Sequence, residues 1–189
     1  MPSARTPNEH VRRSGATYSP CGLYRYRLWR DWGAGETLLW VMLNPSTADH
    51  LGNNDATIER CERRSARWGF GRVEIVNLFA LRTTDPRGLL GVVDPIGGDN
   101  DRSIVEAVRD ADRILCAWGS HGRLGGRATA VLGLLRGYPL SCLAVNRSGE
   151  PAHPLYLPYS LTPIPYPPPA SRPHEAASIP ARADRKPRR

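Results

Sequence analysis

Four times in this chain a run of consecutive apolar residues stops at a cluster of small polar ones. "ETLLWVML" at 36–43 gives way to "NPSTAD", and "RVEIVNLFAL" at 72–81 passes through Asn77 to "RTTD". "RILCAWG" at 113–119 runs into "SHGR", and "LSCLAV" at 140–145 into "NRSGE". Strands that are apolar on both faces must be covered on both faces, which is the condition of a parallel sheet. The intervening segments supply the covers. "NDATIERCERRSARWGFG" at 54–71, "NDRSIVEAVRDA" at 100–111 and "GRATAVLGLLRG" at 126–137 have helical periodicity, with Asp55 placed to cap the first and Gly69 to end it. The expected fold is therefore α/β: three layers, α/β/α, with a mostly parallel central sheet. "GLYRYRLWR" at 22–30 alternates polar and apolar residues and is expected to form a hairpin with the run at 36–43.

At 189 residues, about 40% hydrophobic, the chain has material for one cored domain. We expect a disordered tail over 1–20, a single α/β domain over 21–165 and a disordered Pro/Arg-rich tail over 166–189. The net charge of +8 is concentrated in the tails. Arg5, Arg12 and Arg13 against Glu9 leave +2 at the N-terminus, six basic residues against Glu175 and Asp184 leave +4 at the C-terminus, and the body is nearly neutral. Of the 26 basic residues only Lys186 is a lysine, a bias that reads first as GC-rich coding. The four cysteines are far apart with no C-x-x-C pair, so they read as reduced, mostly buried thiols, and neither a metal nor a cofactor is expected. No apolar run approaches the ~20 residues of a membrane span. The expectation is a cytoplasmic protein, monomeric, with no membrane partner.

In such a sheet ligands bind beyond the carboxyl ends of the strands, where the loops converge. Asn44 there either places a water or caps its own turn. Asn77, after the apolar Ile75 and Val76, either pairs with backbone or offers its acceptor and two donors to a pyrimidine edge. Asp49 and Asp55 are candidate general bases, with helix capping the stronger reading for Asp55. His121, beside Ser120 at an expected helix start, is assigned a substrate-positioning role. Arg60, Arg63, Arg64 and Arg67 form a stripe along the first helix that either faces solvent beside Glu59 and Glu62 or contacts phosphate.

The strand-end motifs bear a family likeness. "LNPS" at 43–46 resembles the Asn-Pro-Gly motif of the mismatch-specific branch of the uracil-DNA glycosylase superfamily, and "VNL" at 76–78 the strand ending in its base-reading Asn. "AWGSHGR" at 117–123 is similar to a Leu-Trp-Gly-x-x-Ala-Gln segment, and "AHPLY" at 152–156 to a His-Pro-Ser loop, of the main branch. Asn44 stands where the main branch carries Asp, and Leu155 where it carries Ser. The body more closely resembles a bacterial family catalogued as domain of unknown function 1643, through "MLNPSTAD", "NLFALR", "AWGSHG" and "HPLYL".

The distant resemblance implies a uracil-DNA-glycosylase-like fold and hydrolysis of an N-glycosidic bond of a base or modified base, in DNA or a nucleoside. Asn44 or Asp49 would place the water, and His153 would donate to the departing base. Asn77 would read the base edge, with Phe79 or Trp118 stacked on it and Leu155 or Tyr156 filling the vacated stack. The alternative is a non-catalytic module of the same fold that recognises a nucleotide or nucleic acid. Removing residues 168–189 is expected to leave Tm unchanged; a fall of several degrees would mean that this tail is docked on the body.

Overall fold

The computed structural model describes residues 13–49 and 51–166. Seven strands form one sheet in the order β1-β2-β4-β3-β5-β6-β7. They are β1 (Arg13–Tyr18), β2 (Arg25–Asp31), β3 (Thr37–Met42), β4 (Arg72–Asn77), β5 (Arg113–Cys116), β6 (Leu140–Cys142) and β7 (Ile164–Pro165). The four segments expected as parallel strands are β3 to β6: β3 pairs in parallel with β4 and β5, and β5 with β6. Antiparallel strands flank this centre on both sides, β2 on β4, β1 on β2 and β7 on β6. The sheet is thus mixed rather than mostly parallel.

Three helices, α1 (Ala56–Arg67), α2 (Asn100–Asp110) and α3 (Arg127–Leu134), cover it. Alternate residues of the central strands feed two cores. Leu38, Trp40, Ile75 and Leu115 pack with Ile58 and Cys61 of α1. Leu39, Val41, Val76 and Cys116 pack with Ile104 and Val108 of α2 and Val131 of α3 on the opposite face. Asp55 caps α1 as expected, its Oδ1 accepting from the Thr57 and Ile58 amides at 2.9 Å each. Among the described residues no helix is long and apolar enough to cross a membrane.

Two expectations are corrected. No hairpin joins 22–30 to 36–43, because β4 lies between β2 and β3 in the sheet. The N-terminal tail is also shorter than expected: residues 13–18 pair along β2, starting at Arg13 opposite Asp31. At the other end Tyr166 is buried against Trp118. The remaining tail expectations, for 1–12 and 167–189, lie outside the described residues.

A buried polar network fastens β2 to the helix layer. The Arg30 side chain, wholly buried, pairs with the buried Glu62 of α1 at 3.2 Å. It also donates to the Asp49 carbonyl at 2.8 Å and the Asn54 Oδ1 at 3.0 Å, while Asn54 Nδ2 donates to Glu62 Oε2 at 2.7 Å. Burial pushes the Glu62 carboxyl above the usual carboxylate range and the Arg30 guanidinium below its own. Each charge is held in place by the other. Arg30→Met, which strands Glu62, is expected to cost about 3–5 kcal/mol, read as a lower urea midpoint at unchanged m-value. Adding Glu62→Leu should recover much of that loss; no recovery would locate the effect in the hydrogen bonds alone.

Candidate functional site

The carboxyl ends of β3, β4 and β5 and the loop after β6 surround a cavity of about 370 Å³. Asn44, Asn77, Trp118, His121, His153, Leu155 and Tyr156 line it, so seven of the expected site residues come together. Arg25, Ser46, Asp55, Thr57, Thr83 and Thr84 are also in its wall.

Each side chain is aimed by backbone bonding around it. The β3–β4 pairing runs on past both strands, with the Leu78 and Phe79 amides donating to the Met42 and Leu43 carbonyls at 2.9 Å. Asn44 Nδ2 donates to the carbonyls of Thr83, at 2.7 Å, and Pro45, at 3.1 Å. Because both partners are acceptors, the amide orientation is determined, and the Asn44 carbonyl oxygen remains for a water or ligand. The end of β4 is pinned by Asn100, whose Nδ2 donates to the Asn77 and Leu78 carbonyls at 3.0 Å, and by Arg127, whose Nε donates to Leu78 O at 2.7 Å.

Asn77 itself is 2% exposed, and its Nδ2 is buried without a hydrogen-bond partner. Such a donor costs about 1–3 kcal/mol when left unmade. Asn77 lies in the cavity wall.

His153 is carried on the loop that follows β6, where the Gly119 amide donates to the Pro151 carbonyl at 2.8 Å. Gly119 has φ of +72°, the left-handed region that favours glycine, and lies in ordinary contact range of His153. The Leu155 amide points at His153 Nδ1 at 3.4 Å, which makes Nδ1 the acceptor and places the proton of the neutral ring on Nε2. Burial holds the imidazole below its ordinary value of 6.5, with the Asp55 carboxylate opposing that shift. His153 is therefore a neutral donor at neutral pH.

Other expected residues stand elsewhere. Asp49 is absent from the cavity wall; its carboxylate accepts from the Leu51 and Asn53 amides and from Asn53 Nδ2, closing a turn. The carboxylate that does reach the cavity is Asp55. Phe79 is 3% exposed within the core beneath α2 and α3, because the strand alternation breaks after Leu78. Ser120 accepts from Asn146 Nδ2 at 3.0 Å, outside the cavity. The indole of Trp118, 1% exposed, donates to Glu150 Oε2 at 2.6 Å.

The arginine stripe is only partly open. Arg64 is buried and its Nη2 donates to the Leu157 and Pro158 carbonyls at 2.8 and 2.9 Å. Arg60 donates to Leu157 O at 3.1 Å, and both guanidiniums lie over the Tyr159 ring, about 5 Å from its centroid. These two hold the returning chain onto α1, which corrects their assignment to nucleic acid. Arg63 pairs with Glu59, and Arg67 is exposed. Leu155 lies in the cavity wall rather than on an open surface.

Arg25 was not foreseen. It is 2% exposed, donates to the Ala48 carbonyl, and its Nε has no partner. The register of β1 on β2 shifts between Thr17 and Tyr18, which face Arg27 and Arg25, so Tyr26 is an extra residue. This bulge turns Arg25 onto the same side as Arg30, where even alternation would have placed Tyr26. Among the described residues no group of His, Cys, Asp and Glu has the arrangement of a metal site.

An unpaired buried amide makes a specific prediction. Asn77→Ala is expected to leave the unfolding free energy within about 0.5 kcal/mol of the parent, whereas loss of a backbone-satisfying Asn would cost about 1–3 kcal/mol. Urea denaturation separates the two.

No curated protein and no solved structure matches the chain. A family model described as "Protein of unknown function (DUF1643)" matches residues 25–155, which spans every strand from β2 to β6 and all of the cavity wall but Tyr156. The chain belongs to this family.

Proposed function

We propose that the chain hydrolyses an N-glycosidic bond of a nucleobase, with a uracil-DNA-glycosylase-like use of its strand ends. The observation that carries this reading is the unpaired buried Nδ2 of Asn77, in one cavity with Asn44, Asp55 and His153. A base edge is a planar array of carbonyl acceptors and N–H donors, and a side-chain amide held rigid and dry complements it. The Asn-Pro-Ser and His-Pro-Leu motifs add the sequence resemblance.

Water adds to the anomeric carbon as the C–N bond breaks, and the base leaves with the electron pair. Asn44 offers its carbonyl oxygen to that water, and Asp55, whose Oδ1 is engaged by α1, keeps its other oxygen to take the proton. His153 donates from Nε2 to a base carbonyl where negative charge develops, and Asn77 donates alongside it. The role assigned to Asp49 in the sequence reading thus passes to Asp55. Asn44, in place of an aspartate, orients the water without deprotonating it.

The test is a panel of uracil-, hypoxanthine- and modified-base DNA together with nucleosides and nucleotides, scored for release of free base. At least one substrate should be cleaved, with Asn77→Ala and His153→Ala each raising the barrier by about 2 kcal/mol or more. The acid limb of kcat/KM should fall with an apparent pKa below 6.5, because protonation of His153 removes the Nδ1 acceptor that fixes the ring. Stability has the same sign: with its folded pKa lowered, His153 contributes stability present above 6.5 and lost as pH falls through the folded value. Binding of bases without cleavage across the panel would replace hydrolysis by recognition.

A further inference from the structure

Arg25 has no role in the chemistry just described, yet it is the most deeply buried cation in the cavity wall. No carboxylate lies within ion-pair distance of it among the described residues; its one protein partner is the Ala48 carbonyl, and Nε is unpaired. The Asp55 carboxylate acts on it through space without contacting it, and its Oδ1 is committed to the first turn of α1. A buried cation without a contacting counter-charge is costly to hold. Burial lowers the pKa of Arg25 only to about 10, so the guanidinium keeps its charge at neutral pH.

A second depression opens beside the cavity and shares its Ser46, Thr83 and Thr84 walls. Arg82 stands in its wall, with its guanidinium 5.2 Å from the centroid of the Tyr18 ring and anchored by a 3.1 Å bond to the Gly22 carbonyl. Two guanidiniums thereby flank one shared wall that carries the Ser46 and Thr84 hydroxyls, the Thr83 hydroxyl being donated to the Asp85 carbonyl at 3.0 Å. Like charges so placed repel each other, and the arrangement is relieved by an anion between them. Arginine forks and hydroxyl donors match the oxygens of a phosphate ester.

We infer that the ligand of this cavity is a phosphate ester, its phosphate held by Arg25 and Arg82 with the hydroxyls of Ser46 and Thr84. The inference deepens the reading above by naming the ligand's second half: a base set against Asn77 and His153, joined through its sugar to a phosphate at the Arg25 side. The near-neutral body fits a free nucleotide better than a DNA duplex, which calls for an extended basic surface.

Calorimetric titration of the full chain with paired nucleosides and nucleoside 5′-monophosphates, inorganic phosphate, and short single-stranded oligonucleotides of the same bases tests this. A monophosphate is expected to bind at least tenfold more tightly than its nucleoside. Arg25→Met should abolish that margin, and Arg25→Lys should keep part of it. Arg82→Ala, at an exposed position that does not threaten folding, should shrink the margin severalfold and flatten its dependence on salt. Oligonucleotides binding more tightly than monophosphates, with the same dependence on Arg25, would assign the phosphate to a nucleic-acid backbone. Equal affinity for nucleoside and monophosphate, or a margin that survives both Arg25→Met and Arg82→Ala, overturns the inference. Binding is read directly, so a failure of base release in the cleavage panel does not bear on it.

Discussion

The guanidinium of Arg30, wholly enclosed and shared among Glu62, Asn54 and the Asp49 carbonyl, is the contact on which the arrangement of the cavity rests. It reaches from an antiparallel strand to the first parallel crossover and fixes the loop that leads from β3 into α1. Ser46, Asp55 and Thr57 are all set on or beside that loop. Without the tether, the segment would be surface chain with little apolar area to hold it, and the orientation of the Asp55 cap would vary with it. Polar groups are used here because their geometry is directional, whereas an apolar contact of equal area would hold the loop in many poses.

The cavity wall is unusual in what it leaves unpaired. Asn77 Nδ2 and Arg25 Nε are buried donors without protein acceptors, and the neutral His153 carries a third donor on Nε2. Folding alone selects against such groups. Asn77 and Arg25 lie at the rim whose strand ends are pinned by Asn100 and Arg127, while Arg63 and Arg64 leave further guanidinium nitrogens unpaired along α1.

Much of this was legible in the sequence, and the failures have physical causes. The four central strands were readable because double-sided burial leaves continuous apolar runs, and their polar ends marked the rim. Which strands are neighbours was not readable: alternation in 22–30 says that β2 is half-covered, but not that β4 rather than β3 pairs with it. Phe79 was assigned to the base stack by the resemblance alone, and the break in alternation after Leu78 puts it in the core instead. Arg60 and Arg64 were correctly put on one helix face, but helical spacing does not reveal that residues 157–159 come back across it. Asp49 was the preferred base because Asp55 was expected to cap α1; a local turn takes both oxygens of Asp49, whereas the cap takes only Oδ1 of Asp55.

The extra residue at Tyr26 has a consequence for how this family could diversify. Because the bulge sets the phase of Arg25 separately from the pairing of β1 with β2, one residue inserted between Thr17 and Tyr18 would pair with Tyr26, restore even alternation and turn the guanidinium away from the cavity, with both cores untouched. A single-codon insertion is thus a ready evolutionary route by which this edge of the cavity exchanges a cation for an aromatic ring.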